Sequence, residues 1–118
     1  MRKNIFRYTM IVPLFAVGVA GVANANPPSE GKQVFNQWCA ACHAPGDYHV
    51  GTAALAAKYD GKEPAALEER KDLTPGIVKY FVRNGVSIMP PFRKTQITDS
   101  ERDALAAYLS PKAASSKD

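Results

Sequence analysis

Cysteine and long apolar runs are scarce in this chain. Its 118 residues include only two cysteines, Cys39 and Cys42, so a wider disulfide framework is excluded. The uncharged run 8–22 is shorter than the roughly 20 residues that a membrane-spanning helix needs, and Pro13 interrupts it. The sequence has no internal repeat and almost no alternation of apolar and polar residues, so helices are expected rather than strands.

The N-terminus has the three-part layout of a secretory signal peptide. A positively charged start precedes the run 8–22, and Ala23-Asn24-Ala25 then offers a cleavage pattern of small residues. We predict a signal peptide at 1–25, one domain at 26–112 and a flexible tail at 113–118. The predicted location is the periplasm, with no membrane span after cleavage.

The net charge of +4 is partly a property of the signal peptide. Cleavage would remove Arg2, Lys3 and Arg7 and leave a net charge of about +1. A nucleic acid partner is therefore not expected.

Local signals predict a small all-α fold. Thr74-Pro75 combines a hydroxyl N-cap with proline at the first helical position, and Thr98 with Glu101 matches the capping-box pattern. Thr52 is expected to cap the short helix that begins at Ala53, and residues 63–70 are expected to form a solvated surface segment with a helical turn or two. The predicted helices are Glu30 to about Ala41, Ala53 to Lys58, Gly76 to Arg83 and Asp99 to about Leu109.

Residues 39–43 read Cys-Ala-Ala-Cys-His, the spacing of covalent c-type haem attachment. The thiols of Cys39 and Cys42 can add to the two vinyl groups of a haem, and the imidazole of His43 can reach the iron as an axial ligand. One covalently attached haem c is therefore the predicted cofactor, and the thiols and His43 should face an apolar cavity.

Met89 is the predicted second axial ligand. It is the only methionine beyond the signal peptide, and it lies in a loop stiffened by Pro90 and Pro91. His49 is the competing ligand, but it follows His43 so closely in sequence that it would struggle to reach the other face of a haem.

Two other interpretations of the cysteines are weaker. A thioredoxin-like redox disulfide should accompany a strand, and no strand pattern precedes Cys39. A structural zinc site would need His43 and His49 as further ligands, at poor spacing.

The chain resembles small class I bacterial cytochromes c. The similarity runs from about Ser29 to Leu109 and includes residues 39–43 and the Met89-Pro90 loop. It implies four to five short helices around one haem, and a His43 N–H that donates to a carbonyl within 50–52. The residues placed at the crossing of the first and last helices are Gly31, Phe35, Leu105 and Tyr108.

The segments 67–70, 82–86 and 89–94 resemble those of cytochrome subunits of flavoproteins that oxidise 4-alkylphenols. This narrower resemblance implies an FAD-containing dehydrogenase subunit as the electron donor and a further downstream acceptor. The expected function is electron transfer rather than catalysis. A free-standing shuttle to a terminal oxidase, a haem peroxidase and a haem-free thiol protein remain as alternatives.

Large side chains near the motif are the candidate haem environment. The predicted pocket walls are Phe35, Trp38, Leu55, Tyr59, Ile77, Phe81, Ile88 and Phe92. The groups that could contact haem propionates are Trp38, Tyr48, Tyr59, Arg83 and Arg93.

Overall fold

A computed structural model describes residues 27–110, so the predicted signal peptide 1–25 and tail 113–118 lie outside the described residues. Within this range the fold is helical, as predicted, and the only β-type pairing is an isolated bridge between Val86 and Met89. The helices are α1 (Pro27–Val34), α2 (Ala40–His43), α3 (Val50–Tyr59), α4 (Pro75–Asn84) and α5 (Asp99–Leu109). A 3-10 turn lies at Leu67–Glu69.

A π-helical turn, Phe35–Cys39, joins α1 to α2 into one continuous helical path. Its longer hydrogen-bonding step is visible at Ala40, whose N–H donates to the Phe35 carbonyl. Such turns occur mostly as single insertions in α-helices, frequently at functional sites. Here the turn ends on Cys39, the first residue of the Cys-Ala-Ala-Cys-His motif.

Helices α1 and α5 cross at the predicted position. A Cβ added to Gly31 would lie 2.6 Å from the Cβ of Tyr108 and would overlap the Ala104 backbone. The Phe35 and Tyr108 rings pack at the same crossing with centroids 6.2 Å apart, and Leu105 is fully buried. Glycine at position 31 therefore allows the close approach of the two backbones.

The core lies between α1, α4 and α5. Its apolar side chains come from three helices, the π turn and one loop residue, Ile97. The buried cluster is Val34, Phe35, Val78, Val82, Ile97, Leu105, Ala106 and Leu109.

The predicted starts of α4 and α5 are correct. Thr74 Oγ1 accepts from the Ile77 N–H at 3.3 Å. At α5 the Thr98 N–H donates to Glu101 Oε2 at 2.7 Å, and the Glu101 N–H donates back to Thr98 Oγ1 at 3.2 Å. Both caps satisfy N–H groups that have no partner within the helix.

The predicted cap at Thr52 is wrong. Helix α3 begins earlier, at Val50, with His49 as its N-cap residue. Thr52 is buried inside the first turn, and its hydroxyl donates to the Ala44 carbonyl at 2.8 Å. Thr52 thus ties α3 to the loop that follows α2.

The segment 63–70 is less solvated than predicted, since Ala66 and Arg70 are buried. The Arg70 guanidinium lies 4.3 Å from the centroid of the Tyr59 ring. Glu68 accepts from Lys32 Nζ at 2.6 Å and from the Tyr108 hydroxyl. The segment is therefore held against α3, α1 and α5.

None of the helices within 27–110 combines the length and apolar character needed to cross a membrane.

Candidate haem site

The π turn and α2 present the motif residues to a cavity of about 340 Å³. Three segments line it: the end of the first helical path, α3, and the loop after α4. Cys39, Cys42, His43 and Met89 all contribute to this lining, although Met89 lies 46 residues beyond His43 in the chain. The fold therefore brings all four predicted haem-binding residues to one cavity.

Burial shifts the pKa values of two motif side chains, His43 and Cys39. It lowers the pKa of His43, which favours the neutral imidazole that a metal binds. Burial, followed by the charge of Cys42, raises the pKa of the Cys39 thiol to about 11. Cys39 and Cys42 are not joined in a disulfide, so both sulfurs could form thioether bonds to a haem.

His43 packs directly against α3. A Cβ added to Gly51 would lie 2.6 Å from His43 Cε1 and 2.8 Å from Nδ1, so this contact requires glycine. His43 Nδ1 is buried, and among residues 27–110 it has no hydrogen-bond partner. The expected bond from this nitrogen to a carbonyl within 50–52 is therefore absent.

The cavity suits a haem that attaches through thioethers. Two thiols, a neutral imidazole and a thioether sulfur are the donor set of a covalently bound haem with His and Met ligands. The apolar side chains between them suit the porphyrin faces.

A tight turn carries Met89. The backbone N–H and C=O groups of Val86 and Met89 bond to each other, at 3.0 and 2.9 Å. Gly85 precedes the turn with φ 66°, and Ser87 within it has φ 53°, which is uncommon for a residue with a side chain.

The competing histidine points elsewhere. His49 Nδ1 lies 2.8 Å from the carbonyl oxygen of Ala41, and the ring packs in a tilted arrangement against Tyr48 with centroids 4.2 Å apart. His49 is not among the residues that line the cavity.

Four of the eight predicted pocket walls line this cavity. Trp38, Leu55, Ile88 and Phe92 line the cavity. The other four predicted walls do not line the cavity. Phe35 and Phe81 pack elsewhere, and Tyr59 contacts Arg70. Ile77 is exposed. The lining residues that were missed are Val50, Gly51, Ala54, Lys58, Val86, Ser87 and Pro90.

Among the predicted propionate contacts, only Trp38 reaches the cavity. Tyr48 is 81% exposed. Arg83 donates to the Phe92 carbonyl at 3.0 Å and to Asp99 at 2.9 Å instead. The arginine therefore lies next to the loop that carries Met89 without lining the cavity.

Comparisons with known proteins show the family to which this chain belongs. A family model described as cytochrome c oxidase, cbb3-type, subunit III matches residues 26–109. Cytochrome c6 of Pyropia yezoensis is 31% identical over 93% of this chain and 94% of its own length. Cytochrome c6 of Leptolyngbya boryana is 36% identical over 70% of this chain and 89% of its own length.

A weaker similarity points to a different kind of relative. The 4-cresol dehydrogenase [hydroxylating] cytochrome c subunit of Pseudomonas putida is 28% identical over 86% of this chain and 77% of its own length.

The chain belongs to the cytochrome c family. Its domain is of the class I-like, cbb3-type kind that the matching family model describes. The family is defined by covalently bound haem c, so haem c is its cofactor, and electron transfer is its function. An electron carrier of this kind requires at least one redox partner.

Proposed function

We propose that this chain is a periplasmic electron carrier in which His43 and Met89 are the axial ligands of one haem c. The observation that carries the proposal is the shared cavity, which is lined by His43, Met89 and both motif cysteines. No other methionine is present in residues 26–118. The periplasmic location rests on the signal-peptide pattern of residues 1–25.

Each residue has a distinct task in this proposal. Cys39 and Cys42 hold the haem through thioether bonds, so that it is retained outside the cytoplasm. His43 supplies a neutral imidazole nitrogen, and Met89 supplies a weak sulfur donor. When bound, the haem iron supplies one-electron chemistry between its ferric and ferrous states. Trp38, Leu55 and Phe92 exclude water, which favours the less charged ferrous state.

The cavity opens through an apolar rim where a partner can approach. Val50, Val86 and Ile88 line the cavity and are 55%, 54% and 74% exposed. Exposed apolar side chains of this kind mark sites of protein contact. We assign electron entry and exit to this rim.

The proposed electron donor is an FAD-containing dehydrogenase that oxidises phenolic substrates. The similarity to the 4-cresol dehydrogenase cytochrome subunit supports this partner, as do the segments 67–70, 82–86 and 89–94. Affinity purification of the native protein from its own periplasm tests the idea. Co-purification of a flavin-containing subunit in constant ratio is expected, and a haem protein that consistently purifies alone would count against it.

A free-standing shuttle is the second candidate, and a specific observation favours it. Cytochrome c6 of Pyropia yezoensis matches 93% of this chain and 94% of its own length. The two candidates differ in the lifetime of the complex with the electron donor. A dehydrogenase subunit stays bound to its partner through gel filtration. A shuttle elutes as a small monomer and exchanges electrons with separate donors and acceptors.

Haem attachment is tested by expression with a cytochrome c maturation system. Native protein should gain the mass of one haem and give the pyridine haemochrome spectrum of two thioether bonds. Cys39→Ser and Cys42→Ser should each give the spectrum of a single thioether bond or lose the haem. An unmodified mass in the native protein would favour the haem-free thiol interpretation.

A further inference from the structure

Phe92 closes the loop that carries Met89. Its N–H donates to the Val82 carbonyl at 2.8 Å, and its own carbonyl accepts from Arg83 Nη1 at 3.0 Å. Both backbone groups of Phe92 are thus bound to the last turn and a half of α4. The loop leaves α4 at Gly85 and returns to the same helix only seven residues later.

Two prolines separate Met89, whose backbone is bonded to Val86, from Phe92, whose backbone is bonded to α4. Pro90 and Pro91 have no N–H groups and donate no backbone hydrogen bonds. Their ring-restricted φ angles make this stretch stiff, so a displacement of Phe92 moves the backbone of Met89. The position of Met89 is therefore coupled to the two hydrogen bonds at Phe92.

Arg83 also binds the start of α5. Its Nη2 donates to Asp99 Oδ1 at 2.9 Å, and its side chain is only 18% exposed. One planar guanidinium thereby joins α4, the Met89 loop and α5. Lysine could not make both bonds in this geometry, because its ammonium lacks the rigid fork of donors.

We propose that Arg83 is a positioning residue that holds Met89 at the cavity through the Phe92 carbonyl. The inference rests on the proposed role of Met89 as an axial ligand. Arg83 does not line the cavity, so its effect on the iron is indirect. Loss of the Arg83–Phe92 bond should leave Met89 present but easier to displace.

The test measures imidazole binding to the ferric holo-protein, since exogenous imidazole competes with Met89 for the iron. Arg83→Met removes the bond to Phe92. The Asp99 carboxylate retains its ion pairs with Lys94 at 2.7 Å and Arg102 at 3.0 Å, so the substitution does not leave it without a cationic partner. Hydrogen bonds from charged donors are strong enough that imidazole should bind Arg83→Met roughly 10- to 100-fold more tightly than native protein.

Arg70→Met is the matched control. Arg70 is also a buried arginine bound to an aspartate, Asp72, but it contacts the Tyr59 ring and not the Met89 loop. Both variants should unfold at lower denaturant concentration than native protein, but only Arg83→Met should change imidazole affinity. Arg83→Lys should fall between native protein and Arg83→Met, and it supplies the same measurement if Arg83→Met does not accumulate.

Two results would overturn the inference alone: native imidazole affinity in Arg83→Met, or an equal gain of affinity in Arg70→Met. The ferric spectrum separates these results from a failure of the proposed ligation. A native protein without the long-wavelength Met-to-iron charge-transfer band would overturn Met89 ligation and, with it, the role of Arg83.

Discussion

The backbone carbonyl of Met89 packs against the Cα of Gly85. A Cβ at position 85 would overlap this carbonyl and would also lie 2.9 Å from the backbone nitrogen of Pro91. Gly85 has φ 66° and ψ −180°, a backbone conformation that is essentially restricted to glycine. The residue that ends α4 thus also determines how closely the Met89 turn folds back.

Gly85→Ala should displace the Met89 loop. Strain and overlap together should lower the free energy of unfolding by about 2–4 kcal/mol. The Met-to-iron band should weaken in the same variant. The control is Gly61→Ala, where φ is also positive, at 76°, but no atom lies within 4 Å of the added Cβ. Guanidinium unfolding of both variants should give a smaller loss for Gly61→Ala, about 1–2 kcal/mol, with an unchanged band. Equal losses would contradict the packing of Gly85 on Met89.

Ser87→Gly should stabilise the turn that carries Met89. Ser87 has φ 53°, where a side chain costs roughly 1–2 kcal/mol, and the greater flexibility of glycine when unfolded offsets part of that gain. We expect a net increase of about 0.5–1 kcal/mol in the free energy of unfolding. Ser100→Gly, in the first turn of α5, should have the opposite sign. Thermal unfolding of the two variants side by side measures the difference, and a loss of stability in Ser87→Gly would argue against a strained turn.

Gly31→Ala should separate α1 from α5. The added Cβ would overlap the Ala104 backbone and lie 2.6 Å from the Cβ of Tyr108, which should cost about 1–3 kcal/mol. Gly76→Ala is the control, because that glycine lies in the first turn of α4 with its nearest atom 4.0 Å from an added Cβ. There alanine should raise stability by about 0.5–1 kcal/mol. Denaturant unfolding measures both, and two changes of the same sign would contradict the helix crossing.

Asp99 should contribute to stability in a pH-dependent way. Lys94, then Arg83, lowers the pKa of Asp99 from 3.8 to about 2 in the folded protein. Its contribution is therefore present above the unfolded pKa of 3.8 and is lost as the pH falls toward 2. Asp99→Asn should have a lower Tm than native protein near neutral pH, and the two values should converge below pH 2. A Tm difference that is independent of pH would contradict the ion-pair origin of this stability.

Local chemistry made the fold class and several helix starts predictable. The caps at Thr74 and Thr98 bond to residues three positions away, so the sequence contains both partners within one turn. Gly31 and Phe35, one turn apart on the first helix, indicated a close approach by another helix, and the resemblance to class I cytochromes c implied that this partner is the last helix. The four candidate haem-binding residues followed from residue chemistry, the motif spacing and the scarcity of methionine.

Contacts across loops were not predictable from the sequence. Thr52 was assigned as a cap because of its residue type, but its hydroxyl bonds Ala44 across a loop whose path depends on tertiary packing. Ile97 is fully buried although it lies outside any helix, where no periodicity marks it. Large side chains are the natural candidates for pocket walls in a sequence. Gly51 and Ala54 line the cavity for the opposite reason, because small residues on α3 allow close approach.

The ferric absorption spectrum of the holo-protein at neutral pH tests the His43/Met89 proposal most directly. The native protein should show the long-wavelength Met-to-iron band. Met89→Ala should lose this band while keeping its covalently attached haem, and His49→Ala should retain it. A native spectrum without the band, or a band that survives in Met89→Ala and disappears in His49→Ala, would contradict the proposal.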